Sequence, residues 1–142
     1  MTAPPVCVDA SLVVRLLVAD SLSERVAAIF AGWAEEAREL VAPGLLRYEV
    51  VNAAHRLVRA GRLRPETGER VVAAALALPI TLVDGAELLQ RAFALAQVLA
   101  LPSAYDAHYL AVAEAHGCEL WTADTKLAKA TSELSPRIRL VE

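Results

Sequence analysis

Short apolar runs alternate along this chain with longer stretches whose apolar positions recur at helical spacing. Val6-Cys7-Val8 follows Pro4-Pro5 and stops at Asp9, the pattern of a buried strand. Ser11 offers a cap to a helix running through Val18. Ser21-Leu22-Ser23-Glu24 has capping-box spacing and predicts a helix to about Glu39. Leu40-Val41-Ala42 reads as a second strand stopped by Pro43. A helix from about Gly44 to Ala60 follows, with Gly61 as its C′ glycine. Pro65 suits the first turn of a helix to about Leu78, and Ile80-Thr81-Leu82-Val83 reads as a third strand. Asp84 and Glu87 repeat the capping-box spacing ahead of a helix that ends before Pro102. Ser103 is placed to open a helix to about His116, followed by Gly117. Glu119-Leu120-Trp121-Thr122 is the fourth strand, a short helix comes next, and Ile138-Arg139-Leu140-Val141 is the fifth. Strands alternating with helices predict an α/β fold with a mainly parallel sheet. No linker, repeat or low-complexity tract interrupts the pattern, so residues 1–142 are expected to form a single domain.

Four acids sit where predicted strands end or the next helices begin: Asp9, Glu49, Asp106 and Asp124. A parallel sheet brings such positions together, because ligands bind outside the carboxyl ends of its strands. Each has a structural reading of its own. Asp9 and Asp106 could cap helices, and Asp124 in Thr-Ala-Asp-Thr could be a turn residue. Glu49 is harder to explain that way. It falls on the otherwise apolar stripe Leu46, Glu49, Val50, Ala53, Leu57, which a helix turns inward. Either a cation meets it, with Arg47 or Arg91 as the protein's own candidates, or it faces a cleft. Glu35, Glu36 and Glu39 instead fall on polar helical faces. Four carboxylates in one cleft repel unless compensated, and a divalent metal is the usual compensation. Mg²⁺ and Mn²⁺ favour carboxylate oxygen and water, and a bound ion makes water a nucleophile near neutral pH. Ser11 and Thr122 supply neutral oxygens beside Asp9 and Asp124.

Composition narrows the classes. Hydrophobic residues make up 56% of the chain and charged residues 22%, enough for a substantial core. The mean hydropathy of +0.42 is high, which also suits an apolar surface covered by a partner. A net charge of −3 argues against a general nucleic-acid coat protein. The arginines nevertheless cluster: Arg56, Arg59, Arg62, Arg64 and Arg70 lie within one short segment and could track nucleic-acid phosphates, or simply line solvated helix faces. Cys7 and Cys118 are too few for a disulfide scaffold or a cysteine zinc site, and read as buried thiols in a reducing compartment. His55, His108 and His116 make no catalytic or zinc pattern. There is no Walker or dinucleotide-binding glycine loop. Without a signal-peptide pattern or an apolar run of about 18 residues, the expected location is the cytoplasm, with no membrane association.

Four segments carry a resemblance: Val8-Asp9-Ala10-Ser11, Arg47-Tyr48-Glu49-Val50-Val51-Asn52-Ala53, Leu101-Pro102-Ser103-Ala104-Tyr105-Asp106-Ala107-His108-Tyr109-Leu110-Ala111, and Leu120-Trp121-Thr122-Ala123-Asp124. In order, spacing and total length the chain resembles PIN (PilT N-terminal) domains, and more closely the VapC-like toxin ribonucleases of type II toxin–antitoxin pairs. The Tyr-Asp-Ala-X-Tyr-Leu-Ala run followed by Thr-Ala-Asp is the specific part. The resemblance implies a three-layer fold with a five-stranded sheet. It implies a site in which Asp9, Glu49, Asp106 and Asp124 bind Mg²⁺ or Mn²⁺, with Asp9 and Asp106 as principal ligands and Ser11 and Thr122 in support. It further implies RNA cleavage to a 3′-hydroxyl and a 5′-phosphate, a homodimer, and an antitoxin chain lying over an apolar groove. Where some relatives carry another acid, this chain has Thr125-Lys126-Leu127, leaving one and two metals both open.

Other readings remain at this level. A PIN fold could bind RNA or a partner without cutting, or use the same site on DNA or in RNA processing. A phosphotransfer domain built on Asp9 is weaker, because dehalogenase-type phosphatases need a second Asp two residues on, and Ser11 stands there.

Overall fold

The computed structural model describes residues 3–131 and 137–142. Its sheet contains β1 (Val6–Val8), β2 (Leu40–Pro43), β3 (Ile80–Val83), β4 (Glu119–Thr122) and β5 (Ile138–Leu140), in the order β3-β2-β1-β4-β5. Every pairing is parallel. The helices are α1 (Ala10–Leu17), α2 (Ser23–Glu35), α3 (Leu45–Arg59), α4 (Pro65–Ala77), α5 (Ala86–Val98), α6 (Tyr105–Ala115) and α7 (Thr125–Thr131). The expected α/β architecture is therefore the observed one. Burial follows strand position. Val6, Cys7 and Val8 in central β1 are wholly buried, as a strand covered on both faces requires. The outer strands β3 and β5 keep Thr81 and Arg139 in solvent.

The chain leaves β1 toward β2 and β3, then returns through α5 and α6 to place β4 on the other side of β1. That reversal makes a crevice at the carboxyl ends of β1 and β4. The register Val8↔Trp121 sets Asp9 beside Thr122, and the Asp9 N–H donates to the Trp121 carbonyl at 3.1 Å.

Leu12 and Val13 of α1, Val26 and Trp33 of α2, Leu46 and Val50 of α3, and Tyr109 and Val112 of α6 close the core over the sheet. Trp33 stands edge-on to both Phe30 and Trp121, with ring centroids 5.0 and 5.3 Å away, a favourable aromatic geometry. Helices α5 and α6 meet through Ala92, Ala96, Ala107 and Ala111. Side chains this small let two helices approach closely.

The helix ends depart from expectation in an instructive way. α3 and α6 end at the predicted glycines, Gly61 and Gly117, both at positive φ. α2 and α5 end with the same pair of hydrogen bonds but with alanine in the left-handed position: Ala37 at φ 54° and Ala100 at φ 51°. Arg38 N–H donates to Trp33 O and Ala37 N–H to Ala34 O; Leu101 N–H donates to Ala96 O and Ala100 N–H to Gln97 O. These are Schellman closures without the usual glycine, so α2 stops at Glu35 rather than Glu39.

The predicted side-chain caps are also corrected. α2 opens through Asp20, whose N–H donates to Ser23 Oγ and whose carboxylate takes the Leu22 N–H, not through Ser21 and Glu24. Asp84 does not cap α5; it accepts the Gly44 N–H at 3.3 Å. A Cβ on Gly44 would lie 2.6 Å from that carboxylate. Neither Ser11 nor Ser103 caps the helix that follows it.

The small residues between α5 and α6 set their spacing, which yields a prediction. Ala92→Leu should destabilise the fold by about 1–3 kcal/mol through overpacking, read as a lowered urea midpoint. An unchanged midpoint would mean that the α5–α6 distance is not fixed there.

Candidate active site

The crevice holds a cavity of about 410 Å³ lined by Asp9, Glu49, Asp106 and Asp124 together. The structure thus brings into one place all four acids singled out in the sequence. Asp9 stands between β1 and α1, Glu49 in the second turn of α3, Asp106 in the first turn of α6, and Asp124 between β4 and α7. Three of the four occupy helix N-termini, where the peptide dipoles favour negative charge. Among the described residues none of the four forms an ion pair. Neither arginine considered for Glu49 reaches it: Arg91 is bidentate to Glu114, and Arg47 lies over the Tyr48 ring.

Hydrogen bonds hold three of the carboxylates by one oxygen each. Asp9 Oδ2 accepts the Ser11 hydroxyl at 2.6 Å and the Thr122 hydroxyl at 2.8 Å. Those hydroxyls in turn accept backbone protons, Ser11 Oγ from Ala123 N–H and Thr122 Oγ1 from Asp124 N–H, both at 3.0 Å. Ser11 and Thr122 thus lock a buried carboxylate to the turn after β4. Glu49 Oε1 accepts the Tyr109 hydroxyl at 2.5 Å. Asp124 Oδ1 accepts the Lys126 N–H at 2.8 Å, so the residue expected in a turn caps the start of α7 while it also lines the cleft. Among the described residues no hydrogen bond reaches the Asp106 carboxylate.

Burial, helped by neighbouring negative charge, raises the proton affinity of Asp9, Glu49 and Asp106. Burial is the main cause at Asp106, with the charges of Asp9 and Asp124 adding to it, and its pKa is pushed up to about 6. Asp9 is raised by burial, against the pull of the Ser11 and Thr122 hydroxyls. Glu49 is raised by burial and by Asp9 and Asp106, against the pull of the Tyr109 hydroxyl. Burial and the neighbouring Asp9 and Glu49 hold the Tyr109 phenol far above its ordinary range, so it remains a donor.

The donor set suits a hard divalent cation: oxygen ligands, negative charge, and no soft sulfur or imidazole lining the cavity. As placed, no three acidic, histidine or cysteine groups among the described residues converge tightly enough to grip an ion. Electrostatics accounts for the spread. Repelling carboxylates turn toward the nearest donors, here two hydroxyls, a phenol and a helix N-terminus.

Sequence reading missed two participants, Asn52 and Arg15, and had Arg56 only as one of an arginine cluster. Asn52 and Arg56 continue the helical stripe of Glu49 along α3, and Arg15 faces them from α1. The spacing of three and seven residues from Glu49 was a usable signal for Asn52 and Arg56. Of the arginine group, Arg56 lines the cavity, whereas Arg59, Arg62 and Arg64 are exposed outside it. His108 and His116 bond the carbonyls of Ala104 and Val112, which fits their structural reading. Cys7 and Cys118 are free and buried, as expected.

A PIN domain model matches residues 6–133, and the chain belongs to the PIN domain family. Ribonuclease VapC9 of Mycobacterium tuberculosis and a VapC ribonuclease of Mycobacterium bovis are each 32% identical to it over 123 residues, spanning 87% of this chain and 88% of the relative. Among solved structures, a toxin–antitoxin complex from Klebsiella pneumoniae superposes with a TM-score of 0.70 at 17% identity, covering 96% of this chain and 98% of that one. VapC20 of Mycobacterium tuberculosis, described as a sarcin-ricin loop cleaving toxin, gives 0.63 at 19% identity over 88% and 94%. These structural likenesses bear on the fold.

Asp106 carries the sharpest electrostatic prediction. Between its ordinary value near 3.8 and about 6, the folded chain binds more protons than the unfolded one. Stability therefore falls as pH rises through that window. In EDTA at pH 7.5, Asp106→Asn should stabilise the protein by about 1 kcal/mol after allowance for solvent screening. The gain should vanish near pH 4. Chemical denaturation at both pH values checks it, and a loss of stability at pH 7.5 would contradict it.

Proposed function

We propose that this chain is a single-domain, cytoplasmic, metal-dependent endoribonuclease acting as the toxin of a toxin–antitoxin pair. The observation that carries the reading is the meeting of Asp9, Glu49, Asp106 and Asp124 in one cleft, in a PIN-family chain whose relatives are named VapC ribonucleases. Asp9 and Asp106 would hold Mg²⁺ or Mn²⁺, with Glu49 and Asp124 completing the site directly or through water. A bound ion would supply positive charge to the scissile phosphate and acidify water in the cleft. No helix of the described residues is long and apolar enough to cross a membrane, which is compatible with the proposed location.

The chain's own groups divide the remaining work. Ser11 and Thr122 keep one oxygen of Asp9 satisfied, so the other can face the ion. Asp106, which receives no hydrogen bond among the described residues, would have both carboxylate oxygens free to meet the ion. Arg56 and Arg15 offer charge to phosphates flanking the cut, and Asn52 offers an amide to a base or ribose hydroxyl. Water adds to phosphorus as the bond to the 3′ oxygen breaks, giving a 5′-phosphate and a 3′-hydroxyl.

Two partner surfaces belong to the proposal. Between α3 and α4 lies an apolar groove of about 520 Å³, into which Val51 and Leu76 project while remaining 48% and 61% exposed. It suits the antitoxin chain, in keeping with the Klebsiella complex. On α5, Leu89 and Phe93 stand one turn apart and are 57% and 65% exposed, which suits a homodimer face. Phe93→Glu should then shift sedimentation from dimer to monomer. A wild type already monomeric at tens of micromolar (about the scale of weak association, Kd on the order of 10 μM) would remove that part.

The enzymatic reading is tested on a mixed tRNA and rRNA pool with Mn²⁺ or Mg²⁺. Discrete cuts should appear, and should be lost with EDTA and in Asp106→Asn. Well-folded, antitoxin-free protein that binds metal but makes no cuts would favour a binding module or a DNA substrate. Arg56→Ala should weaken RNA binding about tenfold and flatten its salt dependence, whereas Arg62→Ala should do less. Equal effects would move the RNA path out of the cleft.

A further inference from the structure

We propose that Tyr109 is a positioning residue, whose buried phenol fixes which oxygen of Glu49 faces the cleft. The inference rests on the reading of the cleft as a metal site, and concerns a residue outside the four acids. Tyr109 lies in the middle of α6 and has no solvent exposure. A buried phenol needs an acceptor for its O–H. Here that acceptor is Glu49 Oε1 at 2.5 Å, on another helix and 60 residues away in sequence. The distance is that of a charge-assisted bond.

Position on α6 gives the contact its purpose. Asp106 and Tyr109 are three residues apart and so share a helix face. One helix therefore presents its own carboxylate to the cleft and grips a second one arriving from α3. Glutamate has one more rotatable bond than aspartate and is the least constrained of the four acids by its backbone. Among the described residues the phenol is the sole side-chain donor to Glu49. With Oε1 held, Oε2 is the oxygen left to meet a cation. Without the phenol, Glu49 can swing toward solvent at the cleft mouth, and every metal-binding event must then order it afresh. Groups that orient ligands in this way commonly change metal affinity by about 10–100-fold when removed.

Tyr109→Phe deletes one oxygen and keeps the ring. Mn²⁺ titration calorimetry on wild type, Tyr109→Phe, Glu49→Gln and the double variant tests the role without reference to catalysis. Tyr109→Phe should weaken Mn²⁺ binding about tenfold or more, and should add nothing in the Glu49→Gln background. Unchanged affinity, or equal weakening in both backgrounds, would overturn the positioning role, the latter by showing a merely structural effect. A wild type that binds no Mn²⁺ would overturn the metal-site reading itself and the inference with it. Should Tyr109→Phe not fold, proton NMR of the wild type decides the question. Tyr48 and Tyr105 are exposed, so a slowly exchanging phenolic proton belongs to Tyr109. It should shift on saturation with Mg²⁺, and a resonance indifferent to Mg²⁺ would overturn the inference.

Discussion

Two hydroxyls on one oxygen of Asp9 hold the centre of this molecule together. Asp9 is 6% exposed, and a carboxylate so placed is costly unless hydrogen-bonded. Ser11 comes from its own helix and Thr122 from the neighbouring strand, and each hydroxyl spends its acceptor on a backbone proton of the turn after β4. The parallel pairing of β1 with β4 is the condition for all of it, since that register puts Thr122 beside Asp9. The turn held this way carries Asp124, so two of the four acids are placed by a single network. The other two arrive by helix packing, α3 over the sheet and α6 against α5, with Glu49 tied to α6 through Tyr109.

The same arrangement works against the stability of the fold. Burying the acids together raises the proton affinity of Asp9, Glu49 and Asp106, and each upward shift marks free energy stored near neutral pH, chiefly as desolvation and in smaller part as repulsion. The core around β1 has to sustain it. Sites that bind or react commonly trade stability for poise in this way. Partial satisfaction is the compromise visible here. One oxygen of Asp9, Glu49 and Asp124 is taken by a protein donor, which limits the desolvation cost while leaving oxygens for a cation.

Much of this was legible in the sequence where local pattern decides the outcome. All five strands and the helix stops at Gly61 and Gly117 follow from apolar runs and glycine chemistry. The four acids could be picked out because strand ends converge in any parallel sheet, and Glu49 because an acid on an apolar stripe needs a reason. What escaped depends on contacts distant in sequence. Ala37 and Ala100 end helices in a conformation no alanine advertises. Asp84 looks like a cap but serves Gly44, 40 residues away. Ser11 looks like a cap but serves Asp9 and the β4 turn. Arg59, Arg62 and Arg64 cluster with Arg56 in sequence, yet helical rotation and the chain's exit from α3 carry them away from the cleft. Tyr109 was visible as part of a motif, while its partner was set by how α3 and α6 pack.

Anomalous diffraction from a crystal soaked in Mn²⁺ tests the central claim most directly, because it locates the ion without relying on turnover. The account predicts a strong peak within coordination distance, about 2.0–2.3 Å, of oxygens from both Asp9 and Asp106, with Glu49 or Asp124 bound directly or through water. Ordered Mn²⁺ elsewhere on the protein, with this cleft empty and its carboxylates unmoved, would contradict it.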